Sequence, residues 1–587
     1  MKIPINRNSL WSELFVDQLT ENGIKYACIS PGSRNTPLTL AFAGNKKIKT
    51  FVNPDERSSG FFALGLAEKI SGPVVLVTTS GTAVAELYPA IIEAYQRRIP
   101  LIVCTADRPP ELQNCGANQT INQKNIYRNH IRKFFDAGLP SLNFAKLEKI
   151  KQIAVDAVAI SKHVNRGPVH INFPFRKPLE PESYTDFIDS NLLKKIKSKK
   201  IRKAFTGNAK PHSKEINNIV QTIKKSPEGL ILCGWDMFDE DFPKLLNMFS
   251  RLTGYPVIAD GISGLRFGKI SRHNLIVNAS AFLHSEAFNF LLDTKTIFMF
   301  GSAPTSNIML DFIKKSHAQK FLINEYGDYK DPSKTAEKII PLNPSVFLKE
   351  IIARLQKSGN PINNSWRKKI NRFDAATEKI KKHKILNAAF PFEGRIIPEV
   401  IKIIPSNSNL VISNSMPVRD LDYFASHSRK KINVYTNRGA SGIDGIISTA
   451  AGIAVSSKRP TYLVIGDLAF LHDANGMNIL RNYKIPLVII LINNNGGGIF
   501  RMLPVAKNRA HFTEYFQTPQ SVNFSSLTDA YGGIFRRIKS WRAFEKLPDE
   551  KSSGNFTVYE IKTDAEKSVE HRRKYWETVK KEINSQL

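Results

Sequence analysis

Cysteine is scarce. Cys28, Cys104, Cys115 and Cys233 are the only four in 587 residues, and no two form a Cys-x-x-Cys pair. Cys28 and Cys104 lie in apolar, strand-like runs, so buried free thiols in a reducing cytoplasm are the simplest account. Long hydrophobic runs are missing too. The longest uninterrupted aliphatic stretch, Leu487 to Ile492, falls far short of the roughly 20 residues that span a bilayer. The start, Met1 to Arg7, has no apolar segment, which argues against a secretory signal and for a cytoplasmic protein. Short-period repeats are absent. So is any glycine fingerprint of the G-x-G-x-x-G type in the middle of the chain, which removes the usual mark of dinucleotide binding there.

Acidic residues are under-represented: 52 Asp and Glu face 84 Lys and Arg, a net charge of +32. Three readings compete for that excess. Nucleic-acid binding is not expected, because no stretch interleaves aromatics with basic residues in a recognised module. Peripheral attraction to an anionic membrane surface stays open. The third reading is steering of anionic substrates and a diphosphate. Runs such as Lys194 to Lys203 and Lys381 to Lys384 are by default solvated surface.

Apolar residues at 42% are ample for large cores, and the length predicts three or four domains. From residue 10 to 180, strand-like and helix-like segments alternate. Ile24–Ser30, Thr50–Asn53, Pro73–Thr79, Pro100–Ala106 and Pro168–Asn172 read as buried strands. Trp11–Leu19, Ser58–Ile70 and Thr82–Tyr95 read as helices. A polar, basic linker from Glu180 to Lys214 follows. A second pattern has strands at Gly229–Cys233, Pro256–Ala259, Thr296–Phe300 and Lys320–Asn324, and a charged helical stretch from Pro344 to Lys384 leads out of it. The third has strands at Leu410–Ser413, Ile432–Tyr435, Thr461–Ile465, Pro486–Ile492 and Phe556–Ile561. The expected fold is α/β, with three doubly wound, mostly parallel-sheet domains at 1–185, 216–360 and 396–587, joined by linkers at 186–215 and 361–395.

The most informative pair is Gly466-Asp467 and Asn494-Asn495-Gly496. Each stands at the end of a buried strand, and Asp473 to Tyr483 between them reads as a helix. Parallel strands joined by a helix bring their carboxyl ends side by side, so Asp467 and Asn494 should converge. An Asp carboxylate, an Asn carbonyl and a nearby backbone carbonyl are hard oxygen donors suited to Mg2+, completed by water and phosphate oxygens. Taken alone, the pattern also fits an ordinary strand–helix–strand unit with a glycine-rich turn.

Other polar motifs fall at the ends of predicted strands, where ligands bind in open parallel sheets. They include Pro31-Gly32-Ser33-Arg34, Asp55-Glu56-Arg57, Thr79-Ser80-Gly81-Thr82, Asp107-Arg108, Asn414-Ser415 and Asn437-Arg438-Gly439-Ala440-Ser441-Gly442. With Cys115–Gln119, Ile443-Asp444-Gly445 and Gly466-Asp467-Leu468, this set resembles the thiamine-diphosphate decarboxylase and carboligase superfamily. Within it, the chain is similar to the branch of menaquinone biosynthesis, which also has Leu after the metal-binding Asp.

That resemblance implies a transferase reaction: thiamine diphosphate decarboxylates 2-oxoglutarate, and the succinyl carbanion equivalent adds to isochorismate. Glu56 would hydrogen-bond the aminopyrimidine ring and favour its imino tautomer, which takes the thiazolium C2 proton. Asp467, Asn494 and Gly496 would hold the metal on the diphosphate beside Gly466. Ile443 would wedge between the two cofactor rings, and Ile499 and Phe500 would wall the thiazolium. The two dicarboxylates call for cationic partners. Arg419 and Arg438 would hold 2-oxoglutarate, Ser33, Arg34, Arg108 and Gln119 would line the isochorismate side, and Ser415 would touch the intermediate. The resemblance also implies a homodimer or dimer of dimers, with Glu56 and Asp467 reaching one cofactor from different subunits. Two alternatives stand beside this reading. One is another thiamine-diphosphate 2-oxoacid decarboxylase or acetolactate-synthase-like carboligase. The other is a basic protein that binds nucleic acid or a membrane surface.

Overall fold

Three parallel sheets of six strands each carry the chain, in a computed structural model that describes residues 6–201, 213–357, 359, 364–547 and 555–587. The start at Met1–Ile5 lies outside the described residues, as do Arg202 and Lys203 of the basic run. The first sheet comprises β1 (Tyr26–Ile29), β2 (Lys49–Val52), β3 (Val74–Thr78), β4 (Leu101–Asp107), β5 (Lys133–Asp136) and β6 (Val169–Pro174), in the order β2-β1-β3-β4-β6-β5. The second comprises β7 (Gly229–Cys233), β8 (Val257–Ala259), β9 (Leu275–Ile276), β10 (Thr296–Phe300), β11 (Gln319–Ile323) and β12 (Lys338–Ile340). Its order is β12-β11-β10-β7-β8-β9. The third comprises β13 (Ser408–Ile412), β14 (Ile432–Tyr435), β15 (Thr461–Gly466), β16 (Val488–Asn493), β17 (Ile534–Arg537) and β18 (Thr557–Lys562). It runs β14-β13-β15-β16-β18-β17, the connectivity of the first sheet repeated. The middle sheet instead has the order of a classic dinucleotide-binding sheet.

The predicted strands are all present, with ends shifted by a residue or two. Strands β5, β9, β12 and β17 were not anticipated, and each is the edge strand of its sheet. One predicted helix is interrupted. Thr82–Tyr95 divides into Thr82–Glu86 and Tyr88–Arg97, with Pro89 in the first turn of the second piece, where its missing N–H is tolerated. The charged stretch from Pro344 forms helices Pro344–Lys357 and Ser365–Lys381. Within the expected basic linker, Ser190–Ser198 is a helix that buries Ile196.

The chain divides into two compact units, one made of residues 1–207, 437–458 and 472–485, the other of 208–436, 459–471 and 486–587. In the first, helix Glu56–Ile70 crosses helix Ile446–Val455 at a pair of glycines. A Cβ on Gly65 would lie 2.1 Å from the carbonyl oxygen of Thr449, and one on Gly452 would lie 2.1 Å from that of Phe62. The backbones touch because neither residue has a side chain.

The predicted helix Asp473–Tyr483 is replaced by Asp467–His472 and Gly476–Asn482, broken at Asp473. The break has a physical reason. Helix Ile446–Val455 begins at Gly445, which has φ +66° and whose added Cβ would overlap the Phe61 ring at 1.9 Å. Glycine there cannot cap the helix with a side chain. Asp473 does so from a distance, its carboxylate accepting the Ser448 N–H at 2.7 Å and the Ser448 hydroxyl at 3.0 Å.

Burial pushes the Asp473 carboxyl up from 3.8 to about 7, against the Ser448 bonds and Arg57, which favour the charged form. The folded protein therefore holds this proton more tightly than the unfolded chain does, and the group's contribution to stability is lost as pH rises from 3.8 through about 7. Asp473→Asn keeps an acceptor for Ser448 and cannot titrate. The difference in melting temperature between that variant and the parent should grow in the variant's favour across this window and level off above it. An equal difference at pH 5 and pH 8 would contradict the assignment.

Candidate functional site

In the first unit, Glu56 opens helix Glu56–Ile70, and its neighbours on either side are tied down. Asp55 caps the helix through the Ser58 N–H at 2.9 Å and accepts the Asn475 amide at 2.8 Å. Arg57 donates to the His472 carbonyl at 3.0 Å. Since Asp55 already serves as the cap, Glu56 is spare. Burial raises its pKa, and the charges of Asp55 and Glu86 add to that. A carboxyl so placed is inclined to hold or share a proton.

Arg34, Arg108 and Gln119 come together at the carboxyl ends of β1 and β4. Arg34 is buried and donates to the Phe175 carbonyl at 2.7 Å. Arg108 donates to the Ser80 hydroxyl and, at 3.4 Å, to the side-chain carbonyl of Gln119. Burial lowers the pKa of both guanidinium groups, and the charge of Arg108 lowers that of Arg34 further. Neither forms an ion pair with a carboxylate among the described residues. The nearby acid, Asp107, is taken up by the Arg108 backbone, Gln113 and Asn172. Two cations without an anion form a site for one. Ser33 lies exposed beside Arg34, with its carbonyl engaged by Thr36.

The segment after β14 carries Arg438 and Ile443, both half-buried. It is clamped by a residue that the sequence did not single out. Buried Glu93 accepts the Gly439 N–H at 2.7 Å and the Ala440 N–H at 2.6 Å, while Arg97, paired with Glu68, lies behind it. A cavity of about 210 Å3 opens beside this clamp, walled by Phe61, Ile92, Glu93, Asn437 and Asp444.

The second unit holds the other half of the predicted set: Ser415, Arg419, Gly466, Asp467, Asn494, Gly496, Ile499 and Phe500. Register pairs Gly466 with Ile492 across β15 and β16, which brings Asp467 and the Asn494–Gly496 turn to one edge, as parallel pairing predicts. Asp467 accepts the Gly496 N–H at 2.8 Å and the Leu468 N–H at 2.8 Å. Burial still drives its pKa up to about 6, and the charge of Glu393 adds to that. Gly496 has φ +128°, and a Cβ would strike the Gln517 carbonyl at 2.0 Å, so only glycine can make this turn. Its own carbonyl accepts the Gly498 N–H at 2.9 Å and keeps a second lone pair.

These residues fit a metal-bound diphosphate. The side-chain oxygen of Asn494 is buried and without a hydrogen-bond partner. Asp467 is a buried carboxylate that forms no salt bridge among the described residues, and the space above Gly466 is open. A cavity of about 380 Å3 adjoins Asp467, with Asn493, Gln520, Ser521, Lys562 and Thr563 in its wall. Among the described residues no three His, Cys, Asp or Glu side chains gather as a metal cluster. A single carboxylate with amide and backbone oxygens suits a hard divalent cation that keeps water and phosphate ligands. Ile499 and Phe500 follow on the turn Gly498–Met502, half-buried, with the Phe500 ring edge-on to Phe516 at 5.8 Å.

Ser415 precedes helix Met416–Phe424 at φ +70°, ψ −127°, a geometry that glycine takes with ease, as Gly81 does at φ +87°, ψ −142° before helix Thr82–Glu86. A serine held there stores strain, a feature that clusters at functional sites. Arg419, on the same helix, donates to the Ser415 carbonyl at 2.7 Å. Behind Asn494 lies a buried group that sequence reasoning missed: Glu393, Thr563, Arg572 and Asp420.

The chain resembles known proteins in sequence and in fold. Residues 11–126 match the thiamine pyrophosphate enzyme, N-terminal TPP binding domain, and residues 422–551 match the C-terminal TPP binding domain. The chain is 37% identical to the 2-succinyl-5-enolpyruvyl-6-hydroxy-3-cyclohexene-1-carboxylate synthase of Bacillus cytotoxicus, over 98% of this chain and 97% of that protein. It is 35% identical to the protein of the same name from Haloquadratum walsbyi, over 98% and 99%. Among solved structures, benzoylformate decarboxylase from Polynucleobacter necessarius shares the fold, with a TM-score of 0.70, 14% identity, and coverage of 94% of this chain and 98% of that one.

The Glu93 clamp can be checked by hydrogen exchange. Glu93→Ala removes the acceptor of both bonds, so amides of residues 437–442 should exchange markedly faster. Glu93→Gln should retain part of the protection. Unchanged exchange in Glu93→Ala would mean that the segment is held by other contacts.

Proposed function

The chain belongs to the 2-succinyl-5-enolpyruvyl-6-hydroxy-3-cyclohexene-1-carboxylate synthase family of thiamine-pyrophosphate enzymes, and we propose that it removes CO2 from 2-oxoglutarate and joins the remaining succinyl unit to isochorismate. The observation in this chain that supports the reading is the pair Arg34, buried, and Arg108, half-buried, two neighbouring cations that form no ion pair with a carboxylate among the described residues. An acetolactate-synthase-like or simple decarboxylase activity is not favoured, given full-length relatives that are named for the synthase reaction.

Thiamine diphosphate supplies the nucleophilic carbon and the electron sink for decarboxylation. The residues of the chain divide the remaining work. Glu56, whose carboxyl burial makes harder to ionise, would hydrogen-bond the aminopyrimidine nitrogen and share a proton with it. Asp467, Asn494 and the Gly496 carbonyl would hold Mg2+ or Mn2+ with the diphosphate, next to Gly466. Ile443, Ile499 and Phe500 supply apolar walls that exclude water. Arg419 and Arg438 bind the carboxylates of 2-oxoglutarate. Ser33, Arg34, Arg108 and Gln119 would line the isochorismate side, and the Ser415 hydroxyl would be placed to hydrogen-bond the reacting group.

The functional enzyme is proposed to be a homodimer or a dimer of dimers, in which Glu56 of one subunit and Asp467 of its partner serve one cofactor. Three domains, at 1–185, 216–360 and 396–587, would divide the labour. A cytoplasmic location fits the fact that no helix among the described residues is long and apolar enough to cross a membrane, and the basic surface leaves peripheral contact with anionic lipid open.

The direct test is to supply purified protein with thiamine diphosphate, Mg2+, 2-oxoglutarate and isochorismate and to follow isochorismate loss and CO2 release. Consumption that requires all four is expected. CO2 release from other 2-oxoacids with isochorismate untouched would overturn the substrate assignment. In the same assay Glu56→Gln should keep cofactor affinity and lose about 10²–10⁴-fold in rate, the usual worth of a positioned acid–base group. Full activity in that variant would remove Glu56 from the mechanism.

A further inference from the structure

An asparagine amide can serve a metal through one end only. Its oxygen ligates and its NH2 group repels, yet the two ends have nearly the same shape. Something must therefore decide which way Asn494 faces. Its Nδ2 donates to Oε1 of Glu393 at 2.8 Å, and its Oδ1 is left buried with no partner. A carboxylate only accepts, so this contact admits the amide in one orientation. Glu393 itself is held firmly. It is 3% exposed, takes the Thr563 hydroxyl on the same Oε1 at 2.9 Å, and takes Arg572 on Oε2 at 3.3 Å. Arg572 in turn grips both oxygens of Asp420, at 2.8 and 2.7 Å, on the helix that also carries Arg419.

We propose that Glu393 is a positioning residue for the metal: its carboxylate, fixed by Thr563 and Arg572, turns the Asn494 amide so that the oxygen faces the cation. This rests on the reading of Asp467, Asn494 and Gly496 as the metal site. Groups one step behind a metal ligand act in this way, orienting it and setting its donor strength. Glu393 lies 101 positions from Asn494 in the chain, so no local motif connects them.

The test is Mn2+ affinity, read by electron paramagnetic resonance with saturating thiamine diphosphate and no substrate, beside the melting temperature of each protein without metal. Glu393→Gln offers an amide that can face Asn494 either way, and Mn2+ affinity should fall about 10–100-fold, the range for such supporting groups. Thr563→Val leaves every charge in place and frees one restraint on Glu393, so a smaller loss is expected. A loss in Glu393→Gln with none in Thr563→Val would make the effect one of charge and overturn the positioning role. Parental affinity in both variants would overturn it outright. Asp467→Ala separates the premise: binding should vanish, and unchanged affinity there would remove the metal site and this proposal with it.

Discussion

Parallel pairing of the strands is the constraint on which everything else depends. A parallel sheet sends every strand's carboxyl end to the same edge, and the connections at that edge are the ones free to vary. Arg34 follows β1, Arg108 follows β4, Ser415 follows β13, and Asp467 and Asn494 follow β15 and β16. None of these residues is near another in sequence except through that polarity. The first and third sheets use the same strand order, yet one edge carries a protonatable acid at Glu56 and the other carries oxygen donors for a cation.

Charge is deliberately unbalanced on both surfaces. At the first, two guanidinium groups share a partly buried space with one acid that is already engaged. At the second, Glu393 and Asp420 pair with the buried Arg572, and Asp467 and Asp420 are both driven up to about 6, in each case chiefly by burial. Uncompensated buried charge costs stability in the protein alone. Under the proposed function, an anionic substrate at the first surface and a cation at the second would recover that cost. The arrangement thus selects its ligands by what the protein lacks.

The interior strands were legible because each is an apolar run bounded by turn residues. The missed strands are all at edges. β5 and β17 bury no residue fully and carry only two adjacent apolar residues each, and β9 and β12 are only two and three residues long. Asp467 and Asn494 were legible because one strand–helix–strand unit connects them. Glu393, Glu93 and Asp473 were not, since each acts on a segment remote in the chain. The predicted helix began at Asp473, whereas in the structure Asp473 lies between two short helices, turned to Ser448.

The glycine contact between helices Glu56–Ile70 and Ile446–Val455 turns each helix into a lever. Glu56 stands nine residues from the fulcrum at Gly65, an arm of about 13 Å at 1.5 Å per residue. A change of crossing angle of about 5° there would swing the Glu56 end through roughly 1 Å, a displacement of the size that can cost about 10²-fold in rate. A methyl group added where backbone meets backbone, far from any reacting atom, would therefore be felt as chemistry.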